Sequence, residues 1–443
     1  MNLDDKRKYF NLCDPDESLE PDDDRNIDFD LLGENSGNPV RGFFWSDKLL
    51  NEIILADKPI TRFFTGHPGS GKTTELKRIA QKISDPEIGN FLPVFIDAKL
   101  LMDLDSQINL IDIITIIVYF VEKTIYGQEE GFLQRLWDWL KNTDTELGKA
   151  EFSIPSVGKL VFEMKARDSL RKKVHDVILR QFSRFMDEAR NQLEEFNNIV
   201  ISEFGRKGLV VIFDSLEQLG QNTESNWMEI LSSAEKVFGS NRQYLQLPVH
   251  TVYTVPPALF NRIVGTDSYF LPMIKVYDKE RMPYEPGLAA MRELVRRRLP
   301  EDIQKEILGP AAKENMDRLI LWSGGYPRDM LKMLRETILA KYYPISENGL
   351  KHIMTSVLNH YRLGVPAEAF EWLSKMAKEK YLTWENETHL RIASQMLKNH
   401  IVLSYLNDDF WFDLHPAVYE IPGVRKAIEN RERNEQEGHT DES

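Results

Sequence analysis

The sequence predicts an α/β chain: a parallel-sheet domain, then a cluster of helices, then a small module of two helices and two strands. Three observations carry that prediction. Residues 209–213 are an unbroken apolar run of strand length, as in a parallel sheet covered on both faces. The β-rich runs at 60–65, 91–98 and 249–255 alternate with segments of helical periodicity. From Pro286 onward the pattern turns helical, over 286–299, 301–322 and 329–342.

The elements follow in order. Residues 46–55 suggest a helix, and the strand at 60–65 stops at Gly66. Residues 72–83 put Leu76, Ile79, Ala80 and Ile83 at helical spacing. After the strand at 91–98 come helices over 108–125 and 132–141. Residues 152–165, with Pro155 and Gly158, suggest a small hairpin, and 167–204 a long, mostly helical stretch. Beyond the apolar strand, 226–238 reads as a helix. Pro256 and Pro257 close the strand at 249–255, and 273–277 suggest a fifth.

Charge and composition narrow the function. The 443 residues carry a formal charge of −14, yet residues 1–30 hold 11 acids against 4 bases and 429–443 hold 6 against 2. The remaining body is close to neutral, which argues against a polyanion binder working by overall charge. Cys13 is the only cysteine, excluding a disulfide framework and a cysteine zinc site. The apolar stretch 111–121 contains Asp112 and is too short to span a bilayer. With no apolar segment of signal-peptide length at the N-terminus, a cytoplasmic location is expected.

The strongest motif is GHPGSGKT: Gly66, His67, Pro68, Gly69, Ser70, Gly71, Lys72 and Thr73, followed by Thr74. It fits G-x-x-x-x-G-K-[ST] in full, after a strand and at the opening of a helix. Gly69 and Gly71 let backbone N–H groups approach phosphates, and the helix N-terminus adds partial positive charge. Lys72 can reach β- and γ-phosphates, and the Thr73 hydroxyl can ligate Mg²⁺. No N/T-K-x-D element for guanine is present, so ATP is expected rather than GTP. Two strand-end acids compete for the metal, Asp97 and Asp214. Asp214, ending the apolar strand, is preferred; Asp97 reads as a local cap.

The segment VVIFDSLEQL, from Val210, resembles the D-[GAS]-h-[DE]-E pattern of the STAND class within AAA+ type P-loop ATPases. That resemblance puts Asp214 on magnesium and Glu217 at the second acid, with Gln218 where a third would stand. No acid directly follows Asp214, so Glu217 is the candidate to polarise the attacking water and slow turnover is expected. It also implies a γ-phosphate-sensing role for Thr254. SGGYPRDML, residues 323–331, resembles the sensor-2 region of origin-recognition and STAND ATPases, with Arg328 facing the nucleotide. The Arg296, Arg297 and Arg298 run reads as a solvated helix face, with a finger toward a neighbouring subunit as the other possibility.

Residues 366–382 and 388–399 suggest two helices, and 401–406 and 410–414 two strands joined by Asn407-Asp408-Asp409. This resembles a winged helix, the module that commonly follows the lid in those ATPases. Between 364 and 420 stand 9 acids and 5 bases, and the second helix offers only Arg391 and Lys398. Protein packing is therefore expected ahead of DNA binding. Trp372, Trp384, Tyr405 and Trp411 are expected in its core.

The domains read as an acidic flexible arm over 1–37, a P-loop ATPase domain with a helical insertion over 38–283, and a helical lid over 284–345. A winged-helix-like domain over 346–422 and a charged tail over 423–443 follow. The resemblance implies a slow ATP-hydrolysing switch that controls a separate effector or regulatory protein, of prokaryotic signalling or antiviral-defence type. A homo-oligomer is compatible with it, and a membrane partner is not expected. The other reading is a DNA-transacting AAA+ ATPase: an initiator, loader or transposition helper.

Overall fold

The apolar run becomes β3 (Leu209–Asp214), buried along its whole length, as is β4 (His250–Val255). With β1 (Thr61–Gly66), β2 (Leu92–Asp97) and β5 (Ser268–Leu271) they form a five-stranded sheet in the order β2-β3-β4-β1-β5. The pairs β2–β3, β3–β4 and β4–β1 are parallel. Strands that are apolar on both faces take the inner places of such a sheet, where helices cover them. This computed structural model describes residues 1–37, 39–127, 131–149, 152–154, 159–223, 225–260 and 268–440, without the side chains of 33–36, 435 and 437–440.

The chain divides into two compact units, one of residues 46–65 and 75–270 and one of residues 1–45, 66–74 and 271–443. In the first, helices Leu110–Tyr126, Gly131–Thr143, Asp168–Leu179 and Phe182–Ser202 pack with the sheet in a single apolar cluster. The mostly helical stretch expected over 167–204 is two helices, separated at Arg180 and Gln181. Asp112, inside the most apolar helix, is buried and paired with Arg171 at 2.7 Å and His175 at 2.6 Å. Those partners hold its carboxyl below the usual range against the opposing effect of burial. The hairpin expected over 152–165 is not formed at 160–166, which are helical; residues 155–158 lie outside the described residues.

In the second unit, lid helices Glu285–Arg296, Glu301–Leu308, Ala312–Trp322 and Pro327–Leu339 share one core. The strand expected at 273–277 is displaced to β5, because Pro272 lacks the N–H a ladder needs. Beyond it the backbone bonds leave the sheet: Met273 N donates to Ser404 O and Lys275 N to Val40 O.

The acidic N-terminal segment is not a free arm. Helix Leu3–Leu12 opens with a capping box between Asn2 and Asp5, and Tyr9, Cys13, Ile27 and Phe29 are buried in the lid core. Lid arginines neutralise its acids: Arg335 pairs with Asp14 at 3.2 Å and Arg328 with Asp16 at 3.4 Å. The C-terminal tail is likewise helical, Pro422–Thr440, with Val424 and Ala427 buried and Arg431 Nε donating to Ser374 Oγ at 3.0 Å.

The module before it has the expected order: helices Phe370–Glu379 and Glu387–Lys398, then the antiparallel pair β6 (Val402–Leu406) and β7 (Phe410–Leu414). Trp372 and Trp411 are buried, but Trp384 is 38% exposed and not core. Tyr405 and Trp411 stack at 4.5 Å and pack with Met273, Tyr326 and Leu403, outside the module's own core.

Candidate nucleotide-binding site

The loop that leaves β1 turns on three glycines with positive φ: Gly66 at 152°, Gly69 at 83° and Gly71 at 96°. Only glycine adopts such angles readily. At Gly69 a side chain would also collide, since a Cβ would lie 2.7 Å from Arg328 Nε and 2.8 Å from Tyr326 Oη. Lys72 opens helix Lys72–Ser84 and is 2% exposed; its Nζ donates to Gly66 O at 3.0 Å and His67 O at 2.9 Å. A buried ammonium beside a glycine loop is a cation able to compensate the charge of a polyphosphate. Thr74 Oγ1 accepts from Leu19 N at 3.3 Å.

The loop is lined by groups of its own unit. His67 is fully buried, with Nδ1 3.3 Å from Leu397 O. Burial, aided by the Lys72 ammonium, lowers its pKa to about 3, so it is neutral. Arg328 starts the helix after the Gly324-Gly325 turn (φ 62° and 74°) and lies against Gly69. Its guanidinium meets Asp16 and, at 3.4 Å, Pro15 O. The Arg296–Arg298 run is not a solvated face throughout. Arg296 pairs with Glu293, Arg297 donates to Asp24 O and Asn26 O, and Arg298 is 6% exposed, donating to Leu294 O.

In the other unit the parallel register sets Asp214, Thr254 and Thr65 at the same end of neighbouring strands. Asp214 is 1% exposed at the end of β3, which lies beside β4. Ser215 then takes φ 72° before the 3₁₀ turn Leu216–Gln218 that carries the buried Glu217. A non-glycine residue held in the left-handed region directly after this acid is the kind of local cost found at functional sites. The Thr254 hydroxyl is bonded to the chain around Asp214: it accepts from Leu216 N at 2.9 Å and reaches Phe213 O at 3.5 Å. Asp97 accepts from Lys99 N at 3.0 Å and caps helix Ala98–Leu101, a local role on the edge strand.

No family model matches the sequence, and no curated protein does. Solved structures do. The similar structures include those of origin-recognition and Cdc6 proteins. The ORC2 protein of Aeropyrum pernix in ADPNP-ADP complexes aligns over 96% of this chain and 98% of its own at 12% identity, with a TM-score of 0.41. Drosophila ORC bound to DNA covers 96% and 91% at 12% identity and TM-score 0.40. Cdc6p of Pyrobaculum aerophilum covers 95% and 98% at 12% and 0.33.

Sequence reasoning did not single out three residues at the loop: Arg41, Tyr326 and His400. Tyr326 Oη donates to Pro68 O at 2.7 Å, His400 Nε2 lies 3.0 Å from the same oxygen, and Arg41 Nη2 donates to Ser70 O at 2.8 Å. They lie about 25 to more than 300 positions from the motif, in no pattern of their own. Tyr326 had one available signal, its place between the Gly324-Gly325 turn and Arg328.

Proposed function

We propose that the chain is an ATP-binding, slowly hydrolysing P-loop ATPase whose lid and winged-helix module respond to the bound nucleotide. The observation that carries this reading is the Lys72 ammonium, buried and bonded to two carbonyls of a loop turning on Gly66, Gly69 and Gly71. The loop supplies the phosphate cradle, Thr73 and Asp214 are the magnesium ligands assigned from the sequence, and magnesium would neutralise charge on the transferring phosphoryl group. Arg328 is the lid cation nearest the loop's glycine face, and Glu217 the acid assigned to the attacking water. The test is ATP binding and Mg²⁺-dependent phosphate release by the purified full chain, beside Lys72→Ala. Binding equal in the two proteins rejects the reading.

A second reading sets the same ATPase to work on DNA. The winged-helix order of Glu387–Lys398, β6 and β7 suits it, and the similar Drosophila ORC is bound to DNA. Against it, that helix presents few available bases: Arg391 pairs with Glu368 at 2.7 Å and Lys398 is 8% exposed. Duplex DNA titrated at rising salt decides between DNA and a protein effector. Binding that falls steeply with salt supports DNA work, and none at low salt supports a protein partner.

A further inference from the structure

A trans peptide is planar, so the carbonyl of one residue and the N–H of the next point in opposite directions. Holding a carbonyl from outside a loop therefore aims the following N–H inward. Pro68 O is held twice, by Tyr326 Oη at 2.7 Å and His400 Nε2 at 3.0 Å, which fixes the Gly69 N–H. Arg41 Nη2 holds Ser70 O at 2.8 Å and so fixes the Gly71 N–H. Without such anchors these two peptides have freedom to flip, because each leads into a glycine with positive φ.

The anchors are themselves well fixed. Arg41 is 2% exposed and its other terminal nitrogen donates to Pro272 O at 2.7 Å. Tyr326 is 2% exposed, enters through the Gly324-Gly325 turn and stacks on His400, centroids 5.0 Å apart at 14°. Gly325 allows that entry, since a Cβ there would lie 1.7 Å from Ile274 O. His400 holds φ 58° in the turn between Glu387–Lys398 and β6, a left-handed conformation that a histidine adopts at a cost. Burial, then His67 and the nearby cations Arg328, Lys332 and Lys72, keep it neutral.

We propose that Arg41, Tyr326 and His400 are positioning residues of the phosphate loop, aiming the Gly69 and Gly71 N–H groups at a polyphosphate before it arrives. Tyr326 comes from the lid and His400 from the winged-helix module. Phosphate affinity is thereby tied to the docking of both on the loop. This rests on the nucleotide reading above, and extends it from the motif to residues outside it.

The experiment is titration of the full chain with ATP in wild type, Lys72→Ala, His400→Leu, His400→Gln and the double variant Tyr326→Phe with His400→Leu. The double variant removes both donors from one oxygen and is expected to bind ATP about tenfold more weakly. His400→Gln keeps an N–H donor and is expected to bind more tightly than His400→Leu. Selective ¹⁵N-glycine labelling reads the same event directly: the Gly69 amide signal shifts in the double variant, a change that a general loss of stability does not single out.

A double variant weakened less than threefold, in a wild type that binds and loses binding on Lys72→Ala, overturns the positioning role alone. A wild type that does not bind ATP overturns the nucleotide reading and this inference with it. Should the double variant fail to fold, Arg41→Met is held to the same threefold limit, with Gly71 as the reporting amide.

Discussion

The sequence assigns Lys72 to phosphate binding and Glu217 to the attacking water, and variants at the two test these assignments separately. Lys72 is a buried cation within hydrogen-bond reach of its own loop, so Lys72→Ala removes a charge-assisted contact and is expected to weaken ATP binding by about 10- to 100-fold. Glu217→Gln keeps volume and polarity but removes the carboxylate assigned from the sequence as the base. Isothermal binding should be unchanged while turnover falls by about 10²- to 10⁴-fold; turnover at the wild-type rate would assign the water to another group. Thr254 acts on the backbone after Asp214. Thr254→Val leaves the buried Leu216 N–H without its acceptor and is expected to cost about 1–3 kcal/mol in denaturant unfolding.

At the scale of elements, the Gly324-Gly325 turn and the N-terminal segment do what their sequences only partly disclose. The turn was legible as a lid turn, but its tight contact with Ile274 O was not, because that contact joins residues about fifty positions apart. Gly325→Ala must relieve a 1.7 Å approach as well as a φ of 74°, and is expected to destabilise by more than about 2 kcal/mol, measured by thermal or urea unfolding. The segment 1–30 looked solvated because its acids outnumber its bases. Composition counts charges without their partners, and here Arg328, Arg335 and Arg297 lie on the lid. Cys13 reports on this docking. It is fully buried, and burial pushes its thiol up to about 12, so thiol reagents should label the native chain far more slowly than the unfolded one. Equal labelling rates would mean the segment is undocked in solution.

For the whole molecule, buried neutral histidines set the response to acid. Burial lowers the pKa of His67 to about 3 and of His250 and His415 to about 4. In the unfolded chain each returns to roughly 6.5 and binds its proton first. Stability is therefore complete above roughly pH 7 and falls as pH drops from about 6.5 toward 4. Each histidine contributes a slope of about 1.4 kcal/mol per pH unit in that window. Chemical denaturation at about pH 7.5 and about pH 5 should differ by several kcal/mol, with the more acidic sample weaker. A flat profile would place these imidazoles in contact with water.

Local pattern determined what can be read from neighbours in sequence: the glycine loop with Lys72, the apolar β3 ending in Asp214, the lid turn before Arg328, and the two-helix, two-strand module. The first three are each encoded within about ten residues, by spacing, apolar continuity or a turn residue, and the module by a succession of such patterns. Strand order, the fate of both acidic ends, the loss of a strand after Pro272, and the anchoring of the loop by Arg41, Tyr326 and His400 were decided only by tertiary structure. These depend on hydrogen bonds, ion pairs and packing between segments far apart in the chain, more than 300 positions in the case of His400 and Pro68. A single sequence carries no spacing rule for such contacts. The motif specifies which atoms can face a phosphate, and the fold around it specifies which way they point.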